Sequence, residues 1–305
     1  MTTAEVVERW RRDGFVIRPA LVALDDLAPA QAELPLLFPT ADDFHDGVDE
    51  ERNDRFRDEF GGITSFPFDS TELSLVSVHE ALVDLAATLL GTDALRVYSI
   101  EAWAKYTGAA DYDQPLHRDY LNHSLLVPAP GQDPPQVEMF LYLDDVPTDL
   151  GPPSYVPNEH TDALPALPNW HPRADRPPEP GDTGWTSTTG RPDLYDLEVS
   201  AAGPAGTVVA YRLETFHRGT ALRRPRGARY TVHVNFRVAD AEWVTRRSWT
   251  DAANQPAWHD FVRRASPRQL ELFGFPPPGH PYWTEETLAG MALRYDGLDL
   301  APWRP

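Results

Sequence analysis

Gln114-Pro115-Leu116-His117-Arg118-Asp119 is the stretch of this sequence that says most about its architecture. His117 and Asp119 lie two residues apart, and in an extended segment side chains at that spacing point to the same side. The pair can therefore bind one metal ion. An isolated His-x-Asp pair more often forms a surface hydrogen bond, so the interpretation depends on the rest of the chain.

A second His follows much later, in Phe216-His217-Arg218-Gly219, and a basic, alternating segment comes after it. Two His and one carboxylate on one face of an iron ion leave the opposite face open, which is typical of non-haem Fe(II) oxygenases. The sequence therefore predicts a metal site formed by His117, Asp119 and His217.

The segment 228–238 alternates as a half-buried strand does. One face carries Arg229, Thr231, His233, Asn235 and Arg237, and the other carries Tyr230, Val232, Val234 and Phe236. A polar inner face is costly unless it meets a polar ligand, so we expect this face to line a pocket. Arg229 could hold a carboxylate through two hydrogen bonds. Arg226 is the alternative for this role, but its position in the turn Pro225-Arg226-Gly227 favours exposure of its side chain to solvent.

Four β-rich runs at 95–106, 137–144, 206–212 and 228–238 predict antiparallel strands in a barrel or sandwich. Helical patterns occupy 4–12, 25–37 and 78–90, and the charged segment 45–57 is expected to be an exposed loop or irregular helix. The predicted fold is mainly β with flanking helices.

We expect one domain over 1–305. Residues 1–94 would form a mainly helical N-terminal part, 95–238 the β core, and 239–305 an aromatic C-terminal wrap. The Pro-rich insertion 163–190 would be either a lid over the site or a flexible loop.

Net charge and composition limit the kinds of molecule that this protein is expected to bind. A net charge of −20 argues against nucleic acid or an anionic membrane, since both are bound through clustered Lys and Arg. With no Cys, the chain must bind any metal through His and carboxylate ligands. No signal-peptide pattern and no apolar run of about 18 residues were recognised, so a cytoplasmic protein is expected, a monomer or homodimer acting on a small molecule.

Lys105 is the only Lys among 27 basic residues. Codon bias is one explanation. The other is that its compact ammonium has a role that Arg cannot fill, since the two cations bind ligands differently.

The ordered motifs resemble the phytanoyl-CoA dioxygenase family, a branch of the Fe(II)/2-oxoglutarate oxygenases built on a double-stranded β-helix, or jelly roll. The motifs that carry the resemblance run along most of the chain. They are Arg12-Asp13-Gly14-Phe15-Val16-Ile17, Leu116-His117-Arg118-Asp119, Leu143-Asp144-Asp145-Val146, Gly151-Pro152-Pro153, Val156-Pro157, His160, His217-Arg218-Gly219 and Arg229.

The resemblance implies Fe(II), 2-oxoglutarate and O2 as cofactor and cosubstrates, with iron on His117, Asp119 and His217. Arg229 would anchor the distal carboxylate of 2-oxoglutarate, and Lys105, Phe140 and Tyr142 would line its pocket. Ala228 occupies the family's usual Arg position, so Arg229 requires a turn one residue longer. The family often has a hydroxyl where this chain has Gly219, which makes the adjacent Thr220 a further cosubstrate candidate.

Other residues near these motifs are candidates for substrate contact. They are Trp103, Tyr120, Asn122, His123, His233 and Asn235. Arg118 and Arg218 alternate away from the ligands, and we expect both to point outward in structural roles.

The expected reaction is hydroxylation of a small molecule with release of succinate and CO2, and secondary metabolism is a candidate setting. Desaturation, epoxidation or cyclisation on the same iron stays open. Acyl-CoA is disfavoured, because the acidic surface offers little docking for a nucleotide diphosphate. The competing hypotheses are a cupin-like metal isomerase or hydrolase that does not use 2-oxoglutarate, and a binding protein that has lost turnover.

Overall fold

The computed structural model describes residues 2–58, 60–119, 123–126, 134–173, 190–246 and 248–304. In this part of the chain, two antiparallel β-sheets are flanked by helices, with a pocket lined by residues of both sheets. This confirms the predicted mainly β class with flanking helices.

The large sheet contains the long strands. Its members are β1 (Phe15–Arg18), β2 (Ile63–Ser65), β3 (Leu95–Tyr106), β5 (Gln136–Tyr142), β9 (Val208–Tyr211) and β11 (Ala228–Val238). They are ordered β1-β9-β5-β11-β3-β2, and every pair is antiparallel. The strands β3 and β11 have the bounds that the β-rich runs 95–106 and 228–238 predicted, and they pair along nearly their whole length.

The small sheet contains only two-residue strands among the described residues. These are β4 (Leu116–His117), β6 (Ser154–Tyr155), β7 (Trp170–His171), β8 (Val199–Ser200) and β10 (His217–Arg218), ordered β7-β4-β10-β6-β8. In β10, His217 is the direct antiparallel partner of His117 in β4. The two His residues of the predicted metal motif are thus cross-strand neighbours.

Ten α-helices are described. They are α1 (Thr3–Asp13), α2 (Leu24–Leu37), α3 (Ala41–Asp46), α4 (Glu50–Asp54), α5 (Thr71–Val76), α6 (Glu80–Leu90), α7 (Pro192–Tyr195), α8 (Pro256–Arg264), α9 (Pro267–Glu271) and α10 (Glu285–Arg294). Local chemistry sets the ends of α1, since Thr2 and Glu5 form a capping box and Gly14 closes the helix in a left-handed conformation.

Segment 45–57 is helical rather than a loop. It contains the end of α3, all of α4, and a 3-10 turn at Arg55–Arg57. Phe44 and Phe56 at its two ends are buried against the core, which the charged sequence between them obscured.

The main core lies between the helices and the apolar face of the large sheet. Val232, Val234 and Phe236 of β11 are fully buried there, as alternation predicted. The C-terminal segment packs into the same core through Trp258 and Phe261. The expected aromatic wrap is therefore part of the packing that supports the sheet.

Residues Thr71–Leu90 are more apolar than the sequence analysis allowed. An 18-residue window there has a mean hydropathy of 1.6, enough in length and composition for a membrane span. The segment forms α5 and α6, and 56% of the window is buried inside the protein. Core packing accounts for its apolar character.

The Pro-rich insertion begins with ordered structure. Trp170 and His171 form β7, which pairs with β4 beside the metal motif. The sequence analysis predicted no strand here, because a two-residue strand leaves no periodic signal. Residues 174–189 lie outside the described part, so the proposal of a lid stays a prediction.

Candidate metal centre and pocket

The structure brings His117, Asp119 and His217 together on β4 and β10, two neighbouring inner strands of the small sheet, with Asp119 just beyond the end of β4. Their ligand atoms all lie within 4.8 Å of one another. Asp119 Oδ1 is 3.5 Å from His117 Nε2, and Asp119 Oδ2 is 3.1 Å from His217 Nε2. Pairing of β4 with β10 places the two imidazoles, and the two-residue spacing then brings the carboxylate to the same side.

Backbone carbonyls fix the orientation of both imidazoles. His117 Nδ1 is 2.8 Å from the carbonyl oxygen of Pro115, and His217 Nδ1 is 3.0 Å from that of Thr215. A carbonyl only accepts, so each Nδ1 carries a proton, and Nε2 is the nitrogen of each ring that faces Asp119. This arrangement of a second ring nitrogen held by a carbonyl is the usual support for a metal-binding His.

The charges in the cluster suit a cation. Burial alone would raise the pKa of Asp119, but His217 and His117 hold the pKa well below its ordinary value. For His217, burial lowers the pKa, and the opposing attraction of Asp119 leaves the pKa raised overall. Since a metal binds the neutral imidazole, metal binding would displace the proton that Asp119 attracts to this ring.

Aromatic rings enclose the two imidazoles. Trp170 stacks on His117 with ring centroids 4.6 Å apart, and Tyr155 stacks on His217 at 5.7 Å. Trp170 comes from the described start of the insertion. Sequence reasoning missed it, because nothing local marks a single Trp in a Pro-rich segment as a neighbour of a ligand.

A cavity of about 180 Å³ opens between the two sheets beside this cluster. Nearly every predicted cosubstrate or substrate residue that the structure describes lines it, together with several that were not predicted. The predicted ones are Lys105, Phe140, Tyr142, Arg229, Trp103, His123, His233 and Asn235, and the others include Glu101, Gln114, Glu138, Trp170, Tyr211 and Arg246.

Lys105 and Arg229 form a cationic pair at one end of the pocket floor. They are direct cross-strand partners on β3 and β11, and both line the cavity. Like charges in direct opposition destabilise a sheet. An anion bound between them would remove that repulsion.

Arg229 has an unsatisfied donor. Its Nη1 atom is buried with no hydrogen-bond partner among the described residues, and burial lowers the pKa of the guanidinium although Tyr142 and Tyr155 oppose this. A buried guanidinium N–H without an acceptor costs about 1–3 kcal/mol or more. A carboxylate ligand supplies two acceptors in the matching geometry, so these residues fit a dicarboxylate cosubstrate.

The structure does not bring Thr220 to the pocket. Its hydroxyl donates a hydrogen bond to the carbonyl oxygen of Pro152, so the expectation of a cosubstrate contact was wrong. The place near Gly219 is taken by Gln114, whose Oε1 accepts from the Gly219 N–H at 2.9 Å. A Cβ on residue 219 would lie 2.8 Å from that oxygen, which explains why this chain has Gly where its resemblance suggests a hydroxyl residue.

His233 occupies the middle of the pocket floor. It stacks on Trp103 with centroids 4.5 Å apart and planes 6° from parallel, and it meets the edge of Phe140 at 3.8 Å. Burial, and then the positive Arg229, lower the pKa of His233 well below its ordinary value. The ring is therefore neutral. His233 is the cross-strand partner of Glu101, so both lie four residues along their strands from the Arg229 and Lys105 pair.

Arg118 and Arg218 point away from the metal cluster, as alternation predicted, but they are buried and do not point outward into solvent. Arg118 lies 4.0 Å from the Phe216 ring and donates to the carbonyl oxygens of Pro165 and Thr161. Arg218 donates to Glu198 and Asp113, both at 2.9 Å. A two-residue strand cannot bury these side chains by alternation alone, so the surrounding loops complete their contacts.

Two of the predicted substrate residues, Tyr120 and Asn122, lie outside the described residues. His123 is described, and it belongs to a buried polar cluster that the sequence analysis missed. Its Nδ1 lies 2.8 Å from Glu138 Oε1. The available signal was a lone carboxylate in the apolar run Val137-Glu138-Met139, since a buried charge is rarely retained without partners.

Comparisons with known proteins agree with this geometry. The family model described as phytanoyl-CoA dioxygenase (PhyH) matches residues 10–229, a range that contains the three metal-site residues and Arg229. A comparison with curated proteins finds no match.

Solved structures with a similar fold include the epimerase SnoN in complex with Fe3+, alpha ketoglutarate and nogalamycin RO. It is 19% identical over 77% of this chain and 83% of that chain, with a TM-score of 0.54. EctD from S. alaskensis with 2-oxoglutarate and 5-hydroxyectoine is 14% identical over 78% of this chain and 77% of that chain, with a TM-score of 0.53. AviO1 from Streptomyces viridochromogenes Tue57 is 19% identical over 79% and 96%, with a TM-score of 0.50. These similarities show a shared jelly-roll fold.

Proposed function

Because the chain belongs to the phytanoyl-CoA dioxygenase family, we propose that it is an Fe(II)- and 2-oxoglutarate-dependent oxygenase that hydroxylates an unactivated C–H bond of a small molecule. The observation that carries this proposal is the meeting of two sites in one pocket. The ligand cluster at His117, Asp119 and His217 opens onto the same cavity as the cationic pair of Lys105 and Arg229.

Each part of the pocket has a role in this reaction. His117, Asp119 and His217 would hold the iron on one face, which leaves the opposite face for ligands that take part in the reaction. Arg229 would bind the distal carboxylate of 2-oxoglutarate, with Lys105 beside it. Iron, 2-oxoglutarate and O2 together supply the oxidising power, with succinate and CO2 as coproducts.

The walls of the pocket support such chemistry by limiting water. Trp170 and Tyr155 cover the two imidazoles, and His233 with Trp103 and Phe140 forms an aromatic floor. Enclosure keeps reactive species away from solvent and strengthens the electrostatic contacts inside. The substrate would enter above the floor near Glu101 and Asn235, at the end away from Arg229.

Secondary metabolism is the proposed setting for the substrate. Structures with the same fold are described with nogalamycin RO and with 5-hydroxyectoine, both small molecules. The second ligand is a hydroxylated compound, which is consistent with hydroxylation, whereas SnoN is described as an epimerase. The type of reaction that this protein catalyses therefore has to be identified from its product.

Succinate formation tests the proposal. The protein is incubated with Fe(II), 2-oxoglutarate and O2, and succinate is measured for the wild type, Arg229→Met and Arg226→Met. Arg226 is the matched control, because it is a half-exposed Arg paired with Asp46 and Asp42 on the outside of the same turn. We expect succinate from the wild type and Arg226→Met, and a large loss for Arg229→Met.

The outcomes separate the competing functions. Equal succinate from Arg229→Met and the wild type would contradict the cosubstrate site. Metal binding without any succinate would favour the isomerase, hydrolase or binding-protein alternatives. Once a substrate is found by screening, isotopically labelled O2 distinguishes hydroxylation, which places one labelled oxygen in the product, from epimerisation, desaturation or cyclisation, which place none.

A further inference from the structure

Glu138 is a buried carboxylate that no metal or cosubstrate role explains. It lies in the middle of β5 and is 1% exposed, with the apolar Val137 and Met139 on either side. Burying an unpartnered carboxylate is very costly, so such a residue needs several donors. Glu138 has three: the Tyr98 hydroxyl at 2.8 Å and His123 Nδ1 at 2.8 Å on Oε1, and the Tyr211 hydroxyl at 3.0 Å on Oε2.

Tyr211 links this carboxylate to the metal cluster. Its hydroxyl lies 3.2 Å from Asp119 Oδ2 and 3.0 Å from Glu138 Oε2. One hydroxyl proton thus lies between two carboxylates, and the ring is fixed between His217, at 4.6 Å, and Phe140, at 5.4 Å. The hydroxyl cannot move away from Asp119 without repacking these rings.

A second metal ion is a poorer explanation of the same residues. Ligand atoms of Asp119, His123 and Glu138 also lie within 4.8 Å of one another. However, the other nitrogen of His123 is 3.5 Å from Arg246 Nη1, and a guanidinium so close would repel a divalent cation. Tyr98 and His123 already occupy Glu138 Oε1, and the Tyr211 hydroxyl lies against Oε2.

We propose that Tyr211 and Glu138 are positioning residues for Asp119. The Tyr211 hydroxyl, held between Glu138 and Asp119, would engage Oδ2 of Asp119 and leave one oxygen of this carboxylate for a metal ion. A carboxylate that held the metal through both oxygens would take a position that 2-oxoglutarate or O2 needs.

This inference rests on the proposed function, and metal binding without cosubstrate tests the two separately. Co(II) is titrated anaerobically into the apo protein in the absence of 2-oxoglutarate, and the visible d–d spectrum reports the number and geometry of its ligands. The variants are Tyr211→Phe, Glu138→Gln and Tyr230→Phe. Tyr230 is the matched control, because it is also a buried Tyr, but it belongs to the main core and its hydroxyl donates to the carbonyl oxygen of Pro39, away from the metal cluster.

We expect Tyr211→Phe to weaken Co(II) binding by about 10–100-fold, the range typical for loss of an outer partner of a ligand. Its spectrum should shift, because Asp119 becomes able to bind through both oxygens. Glu138→Gln should shift the spectrum in the opposite direction, since the single Tyr211 proton, no longer attracted by the Glu138 charge, is donated to Asp119 alone. Tyr230→Phe should keep the wild-type affinity and spectrum.

Thermal unfolding of each variant shows whether it is folded, and Glu138→Gln provides the answer if Tyr211→Phe is not. Wild-type protein that binds no Co(II) would overturn the proposed function itself. If the wild type binds Co(II), and Tyr211→Phe and Glu138→Gln bind it with the same affinity and spectrum, the positioning role is wrong. The metal site would then remain in place.

Discussion

The two sheets differ in how their geometry is fixed. In the large sheet, β3 and β11 have 12 and 11 residues and pair through a long ladder of backbone hydrogen bonds. In the small sheet, each described strand has two residues. The large sheet presents Lys105 and Arg229, whereas the small sheet presents the metal ligands.

In the small sheet, side-chain contacts hold the short strands in place, whereas backbone hydrogen bonds do so in the large sheet. Arg218, next to His217, is held by Glu198 and Asp113. On the other side, the Tyr195 hydroxyl accepts from the Leu116 N–H and donates to the carbonyl oxygen of His171, which ties β4 to β7. The metal ligands therefore depend on loop contacts, while the cosubstrate anchors depend on a continuous sheet.

The largest loss of metal affinity is expected when a metal ligand presented by the small sheet is removed. For Asp119→Ala we expect at least about 100-fold weaker Fe(II) binding, beyond the usual loss for an outer partner of a ligand. Anaerobic titration calorimetry measures this, with Asp149→Ala as control, because Asp149 is a half-exposed residue paired with Arg224. Wild-type affinity in Asp119→Ala would mean that the metal binds elsewhere.

Arg229→Met tests the cosubstrate anchor that the large sheet presents. We expect 2-oxoglutarate affinity to fall by about 100-fold, since charged hydrogen bonds contribute roughly 3 kcal/mol. Metal affinity without cosubstrate should not change. The apo protein should be at least as stable as the wild type in thermal unfolding, because the substitution removes a buried donor that lacks a partner. A clear loss of apo stability would show that Arg229 is a structural residue.

Arg218→Met tests whether side-chain contacts hold the strands of the small sheet in place. Breaking a buried ion pair by removing one partner costs about 3 kcal/mol in the free energy of unfolding. Arg224→Met, in the half-exposed pair with Asp149, should cost at most about 1 kcal/mol. If Fe(II) affinity of Arg218→Met stays at the wild-type value despite the lost stability, the backbone alone holds His217, and the comparison fails.

The smallest expected effect is a pH dependence at Asp113. Burial raises its pKa, but the Ala221 N–H and Arg218 outweigh this and hold the pKa below its ordinary value of 3.8. A carboxyl with a lowered folded-state pKa stabilises the protein above the unfolded pKa, and this stabilisation is lost as the pH falls through the folded pKa.

The matching variant is Asp113→Asn. At neutral pH it should lower the free energy of unfolding by roughly 1 kcal/mol. Denaturant unfolding at a series of pH values should show the difference from wild type shrinking as the pH falls below about 4. A difference that is constant, or that grows in acid, would contradict the assignment of Arg218 and Ala221 as its partners.

The same contrast explains what could be predicted from the sequence. The bounds of β11 were readable because long alternation has a period, and this placed Arg229 and His233 on the polar face. The strand β3 was predicted from its β-rich composition, and the family resemblance suggested the pocket role of Lys105. The His117, Asp119 and His217 cluster was recognised from motif order, not from local structure, since two-residue strands have no period.

Residues that depend on tertiary contacts were missed. Gln114 is the first residue of the stretch 114–119, yet its bond to the Gly219 N–H appears only when β4 and β10 come together. Thr220 was misplaced for the same reason. Tyr211 and Glu138 are far apart in sequence, and only the pairing of β9 with β5 makes them neighbours.

The most direct test of the account is an anaerobic titration of the apo protein with Fe(II) and 2-oxoglutarate, followed by the visible metal-to-ligand charge-transfer band. The account predicts a band that needs both components, that disappears in Asp119→Ala, and that requires much more 2-oxoglutarate in Arg229→Met. Iron binding without a band in the wild type, or a band whose 2-oxoglutarate dependence is the same in Arg229→Met, would contradict a single pocket built from both sheets.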